Sequence, residues 1–256
     1  MEEFMSEIIV KAGDILMSSF GTAEIIGTKE KVTDIVTQAD LASQEFLLRR
    51  IKEAYPEHEI ISEELKSSPT SAEYVWIIDP LDGTRNFASR VTTFGINIAL
   101  LQNGVMRHGA IYLPATRELC YAESGAGASL NGRPMYASQT DEWTRAYGLV
   151  APDCGPEFTA FLQKSHSLSD GSGWINAIAS PAACGVWVAD GRRDWYIGPS
   201  ANSWDYAAPA LIAEEAGCAV SNFAGTPWRP GDRGLVLSAR SLHGDLLEMV
   251  QASFQM

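Results

Sequence analysis

The chain has 256 residues, 46% hydrophobic and 20% charged, a mixture suited to one large globular domain or two packed subdomains. Its formal net charge of -13 argues against a nucleic-acid partner, because phosphate backbones are held by an excess of Lys and Arg. No apolar run is long enough for a membrane span, Met1-Glu2-Glu3-Phe4 lacks the features of a secretory signal, and Cys120, Cys154, Cys184 and Cys218 form no Cys-x-x-Cys pair, so a cytoplasmic protein with free thiols is expected.

Glu2 to Phe20 is predicted as an amphipathic helix, with Ile8, Ile9, Ala12, Ile15 and Leu16 on one face and Gly21 ending it. Ala23 to Asp34, carrying Lys29-Glu30-Lys31, reads as a hairpin or loop, and a second amphipathic helix runs through Phe46, Leu47, Leu48 and Ile51 before Pro56. Thr37 followed three residues later by Asp40 has the form of a capping box, which gives Asp40 a structural role of its own. Glu59 to Glu64 reads as a short strand ending in an acidic pair. After a polar loop comes Trp76-Ile77-Ile78-Asp79-Pro80-Leu81-Asp82-Gly83-Thr84-Arg85-Asn86-Phe87. It opens as a buried strand, and Pro80, which has no N–H for a ladder, is expected to end it. Gly83 allows a sharp turn, so Asp79 and Asp82 are expected together on a tight turn at the strand's end.

The pattern then becomes antiparallel. Phe94 to Gln102 turns at Asn103-Gly104 into Val105 to Tyr112, and Glu118 to Glu123 and Gly125 to Leu130 extend the meander. Residues 1–140 thus read as an α+β subdomain with two helices on a sheet. Residues 141–256 read as a second, α/β subdomain: a strand at Tyr147–Val150, helices at Pro156–Ser167 and Ser180–Ala189, and a strand at Asp194–Ile197. A helix over Trp204–Gly217 follows, with Asp205 near its start and Pro209 in or just after its first turn. Strands near Val220 and at Leu235–Ser238 and a final helix at Leu242–Phe254 close the chain. His58, His108, His166 and His243 show no metal-ligand spacing and read as surface or packing residues.

Asp40, Glu63, Asp79, Asp82 and Asp205 all lie at strand ends or helix starts beside apolar segments. Brought together in space they would repel one another strongly, and only bound cations would make such a cluster tolerable. Oxygen ligands without Cys or His select hard ions, Mg²⁺ before Zn²⁺, and neighbouring hard ions are a common device for hydrolysing phosphate esters.

Asp34-Ile35-Val36-Thr37-Gln38-Ala39-Asp40, Ile61-Ser62-Glu63-Glu64, the Trp76–Phe87 run and Trp204-Asp205 resemble, in order and spacing and over the full chain, the inositol monophosphatase family. The resemblance implies an α-β-α-β-α sandwich of the kind shared with fructose-1,6-bisphosphatases, usually dimeric, so a homodimer is expected. It implies two to three Mg²⁺ ions: Glu63, Asp79 and the Leu81 carbonyl on the first, Asp79, Asp82 and Asp205 on the second, Glu63 helping a third. It places Gly83 and Thr84 N–H groups on the phosphate, with Asp82, Ser180 and Asp205 also at substrate- or phosphate-binding positions. Thr84 and Asp40 are implied as the catalytic pair that orients and deprotonates the attacking water, without a phosphoenzyme, and lithium inhibition is an implied trait.

Phosphatases of the haloacid dehalogenase type carry a nucleophilic Asp two residues before such an Asp-Gly-Thr; here that position is Pro80, which excludes the covalent route. The implied activity is a phosphoric monoester hydrolase acting on a small-molecule phosphate ester, inositol 1-phosphate or a related sugar or polyol phosphate. The alternatives are a 3′(2′),5′-bisphosphate nucleotidase, a fructose-1,6-bisphosphatase or a histidinol-phosphatase, and, from another class, a regulatory partner-binding protein retaining the fold. Asp34-Ile35-Val36-Thr37 is closest to the inositol branch. Gly198 stands where inositol-hydrolysing members usually carry a Glu, and Ala179-Ser180-Pro181-Ala182 departs from their pattern.

Overall fold

The computed structural model of the chain describes residues 1–22, 24–28, 35–65, 72–152, 155–170 and 174–254. Lys29, Glu30, Lys31, Asp34 and Cys154 lie outside the described residues. The elements run α1 (Glu2–Ser19), β1 (Ile25–Thr28), β2 (Ile35–Thr37), α2 (Gln38–Ala54), β3 (Glu59–Ser62) and β4 (Tyr74–Asp82). There follow α3 (Thr84–Ala88), β5 (Gly95–Gln102), β6 (Val105–Leu113), β7 (Glu118–Glu123), β8 (Gly127–Leu130), β9 (Arg133–Pro134) and β10 (Tyr147–Val150). The last third holds α4 (Glu157–Leu168), β11 (Trp174–Ala177), α5 (Pro181–Ala189), β12 (Trp195–Gly198), α6 (Ser203–Glu215), β13 (Ala219–Ser221), β14 (Leu235–Ser238) and α7 (His243–Ser253).

β1 and β2 form a two-stranded antiparallel pair, and the larger sheets have the orders β3-β4-β5-β6-β7-β8-β9 and β11-β10-β12-β14-β13. In the first, only β3 and β4 run parallel; in the second, β10 is parallel to both β11 and β12, while β14 is antiparallel to its neighbours.

Strand alternation builds the layers. Trp76 and Ile78 of β4 join Ile96 and Ile98 of β5 and meet Ile8, Ile9, Leu16, Leu47 and Ile51 of α1 and α2. Val75 and Ile77 point the other way, into a core filled by Val186, Val188, Leu211 and Ile212 of α5 and α6. Tyr196 of β12 and Leu235 and Leu237 of β14 close that core from the second sheet. Their alternate neighbours Trp195, Ile197 and Val236 form a third core with Phe161 of α4 and Leu246, Met249 and Val250 of α7. The result is the expected sandwich, helix pair, sheet, helix pair, sheet, helix pair.

Three expectations need correction. β4 does not stop at Pro80 but runs on to Asp82. Asp79 pairs with Asn97 and Asp82 with Gly95, so β4 carries one extra residue there, and Pro80 lies in that bulge, where the ladder needs no N–H from it. Pro209 sits in the interior of α6, beyond its first turn. Its ring fills the notch over Gly185, where an added Cβ would come within 2.6 Å of Pro209 Cβ. β11 was not expected at all; it is a short edge strand whose Trp174 is 63% exposed.

The described cysteines, Cys120, Cys184 and Cys218, are free and buried. His58 stacks between Tyr55 and Tyr74 and accepts the Trp76 indole N–H at 3.0 Å, a packing role as expected.

Candidate active site

The bulge at the end of β4 turns the chain so that Asp79 and Asp82, each 2% exposed, flank the carbonyl of Leu81. The Leu81 N–H donates to Asp79 Oδ1 at 3.1 Å. Ser43 of α2 donates to the Pro80 carbonyl at 2.8 Å, which ties the bulge to the first helix pair. Gly83 then takes φ 80°, and a Cβ there would lie 3.0 Å from the Ala179 carbonyl and 3.1 Å from that of Thr93. Both the dihedral and the space therefore require glycine. α3 starts at the next residue, Thr84.

Thr84 connects this turn to α2. Its hydroxyl lies 3.1 Å from Asp40 Oδ1 and 3.0 Å from the Leu81 carbonyl, two acceptors for one proton. Asp40 is wholly buried, and its other oxygen accepts the Thr37 N–H at 2.8 Å and the Thr37 hydroxyl at 2.5 Å. The capping box is present, and the same carboxylate also serves Thr84.

Asp205 comes from the first turn of α6 and Glu63 from the single helical turn after β3. Asn97, the cross-strand partner of Asp79, donates to the carbonyl of Trp204 at 3.4 Å and so joins the start of α6 to the first sheet. Asn86 of α3 donates to the carbonyls of Thr93 (2.7 Å) and Ala179 (3.3 Å), holding the turn against the segment that leads into α5.

Glu63, Asp79, Leu81, Asp82, Gly83, Thr84 and Asp205 all line one cavity of about 660 Å³. Asp40 stands behind that wall and reaches it through Thr84. Ser180 is not on the wall either. It is fully buried, donates its hydroxyl to Asp82 Oδ1, and caps α5 by accepting the Ala183 N–H at 3.3 Å. The Ala182 N–H donates to Asp82 Oδ2 at 3.1 Å. Sequence reasoning missed Arg85, Ser200, Asn202 and Arg233 on the wall and the struts Asn86 and Asn97. Arg85 and Asn86 stand inside the Trp76–Phe87 run, so that run held a signal for them; Arg233 lies in no motif.

Burial drives the electrostatics. Desolvation pushes the Asp82 carboxyl up to about 8, aided by the charges of Asp205 and Glu63 and opposed by the bonds from Ser180 and Ala182. Asp40 is also raised by burial, with the Thr37 and Thr84 bonds working against the shift. The corner is thus short of positive charge. Its donors are carboxylate and carbonyl oxygens, with no His or Cys on the cavity wall, which suits a hard divalent cation. Among the described residues no three acidic, Cys or His groups stand close enough to hold an ion as they are placed, so the acids would have to draw in around one.

A five-layer sandwich with an acid-lined, oxygen-only cavity at the junction of its first sheet and middle helices defines a hydrolase of the metal-assisted kind in its architecture. The profile of the inositol monophosphatase family matches residues 1–255, and the chain belongs to that family; it is a phosphatase. It is 29% identical over 249 residues to the fructose-1,6-bisphosphatase/inositol-1-monophosphatase of Thermotoga maritima, covering 97% of this chain and 94% of that one. It is 35% identical to the putative Nus factor SuhB of Neisseria meningitidis serogroup B, over 84% of each chain. The solved inositol monophosphatase of Thermotoga maritima superposes with a TM-score of 0.90 at 28% identity, over 98% of this chain and 96% of that one.

Proposed function

We propose that the chain is a Mg²⁺-dependent phosphomonoesterase that hydrolyses inositol 1-phosphate, or a related sugar or polyol phosphate, by direct attack of water. The observation that carries this reading is the hydrogen bond from Thr84 to the buried Asp40, 3.1 Å long, set beside Asp79, Asp82 and Asp205 on one cavity. Glu63, Asp79, the Leu81 carbonyl, Asp82 and Asp205 would hold two to three magnesium ions. When bound, these would neutralise phosphate oxygens and make water more acidic.

The chain's own groups do the rest. The N–H groups at Gly83 and Thr84 open a helix and lack intrahelical acceptors, so they bind the phosphate oxygens. Thr84 orients the attacking water through its hydroxyl and passes a proton to Asp40 Oδ1. Asp40 suits that task because burial has raised its affinity for a proton. Ser180 fixes the rotamer of Asp82 from behind, and this indirect support is its place in the site.

A panel of inositol 1-phosphate, fructose 1,6-bisphosphate, adenosine 3′,5′-bisphosphate and histidinol phosphate, assayed for phosphate release with Mg²⁺, tests the choice of substrate. Inositol 1-phosphate is expected to lead; a rate on adenosine 3′,5′-bisphosphate far above the others would overturn that choice. The 35% identity to a putative Nus factor favours a second, partner-binding role on the same fold. That role becomes the primary one if no ester on the panel releases phosphate.

A further inference from the structure

The phosphatase reading leaves one charged wall residue without a task. Arg233 lines the same cavity as the acids but comes from the second sheet, on the loop that enters β14. Its guanidinium makes no ion pair or hydrogen bond among the described residues, although Glu63, Asp79, Asp82, Glu157 and Asp205 share the cavity. Long cations in a chain of net charge -13 usually settle onto a carboxylate, so the loop must hold this one away from them.

The loop shows how. Asp232 beside it is turned inward, its Oδ2 accepting the Asn222 amide at 3.0 Å and the Arg229 N–H at 2.9 Å. On the other side the Gly234 N–H donates to the Ser200 carbonyl at 2.9 Å. Gly234 has φ 75°, and an added Cβ would lie 2.4 Å from the Phe223 ring, so this backbone has little room to shift. Arg233 is therefore carried on a backbone pinned at both neighbours.

The wall beside it offers no acid. At the end of β12, Gly198 faces the hydroxyls of Tyr206 and Tyr196, which a Cβ would meet at 2.2 and 2.4 Å, so no side chain fits there. The next wall residues are Pro199, Ser200 and Asn202, all neutral. Asn202 is tied to Asp205, and its N–H donates to Ser200 Oγ at 3.0 Å. Arg85, the other cation on the wall, adjoins Thr84 and belongs to the side that would hold the transferred phosphate.

We propose that Arg233 makes this pocket selective for phosphate esters that carry a second phosphate on the alcohol portion, which the guanidinium binds through a forked pair of N–H bonds. The proposal rests on the phosphatase reading. A planar fork matches phosphate geometry, and charge-assisted bonds of this kind are among the stronger polar contacts.

The test compares fructose 1,6-bisphosphate with fructose 1-phosphate, which differ only in the second phosphate. Phosphate release is measured with Mg²⁺ for the native chain, Arg233→Gln and Arg233→Lys. The ratio of kcat/KM for the bisphosphate over the monophosphate should fall by about ten- to hundredfold in Arg233→Gln, mainly through KM. Arg233→Lys should restore part of the ratio, because charge remains while the fork is lost. A ratio left unchanged by Arg233→Gln overturns the subsite while leaving the native enzyme active. Release from neither ester by the native chain would instead remove the hydrolase reading, and the subsite with it.

Discussion

Asp40 divides its work between its two oxygens: Oδ2 closes the cap of α2 through Thr37, and Oδ1 faces Thr84. Both roles were legible in the sequence, one from the Thr37–Asp40 spacing and the other from the family resemblance, and they coexist because a carboxylate has lone pairs enough for each. Thr84→Ala should lower kcat by about 10²–10³-fold, the usual weight of a positioned proton-transfer group. It should cost only about 1 kcal/mol of stability, the worth of one hydrogen bond. Thr84→Ser keeps the hydroxyl and should recover much of the rate; steady-state kinetics with thermal melts of both variants checks the pair. Equal losses in Ala and Ser would show that the methyl, not the hydroxyl, matters. Arg233 was invisible at this scale, since nothing near it in sequence marks a site and only tertiary folding brings it to the cavity.

At the scale of elements, local patterns served well where apolar periodicity was long, as in α1, α2 and the β5–β6 hairpin, and less well where contacts between elements decided the outcome. Pro80 was expected to end β4 because a ladder position needs an N–H, and the bulge removes that need. β11 escaped notice because it is four residues long with Trp174 exposed, so it shows no buried face. Pro209 tolerates the interior of α6 because its ring packs on Gly185 of α5. Gly185→Ala should therefore force the middle helices apart and lower stability by about 1–3 kcal/mol in denaturant melts; an unchanged midpoint would mean the notch is not tight.

The first turn of α7 makes a prediction about pH. His243 sits with Nδ1 2.8 Å from Ser238 Oγ and Nε2 3.0 Å from Ser221 Oγ, and burial lowers its pKa below the usual 6.5. The unfolded chain then binds a proton before the folded one does, so stability is full above about pH 6.5 and falls as pH drops through the folded value. His243→Asn should flatten that acid loss in melts taken between pH 7 and pH 5; a slope identical to the native chain's would exclude His243 as its source.

For the whole molecule, the site depends on the layers being stacked correctly. β4 delivers Asp79 and Asp82 from the first sheet, α6 delivers Asp205 from the middle helices, and Asn97 joins the two through Trp204. The layer order was legible through the resemblance and the apolar runs. The meeting of the acids was inferable only from their chemistry, because they are far apart in sequence. The burial that raises Asp82 to about 8 leaves the corner in need of cations.

The account therefore stands most directly on one titration: phosphate release from inositol 1-phosphate by the native chain as Mg²⁺ is added to chelator-treated protein. Release should be absent with chelator and rise to saturation with Mg²⁺. Release that is unaffected by the chelator, or absent at every Mg²⁺ concentration, would contradict it.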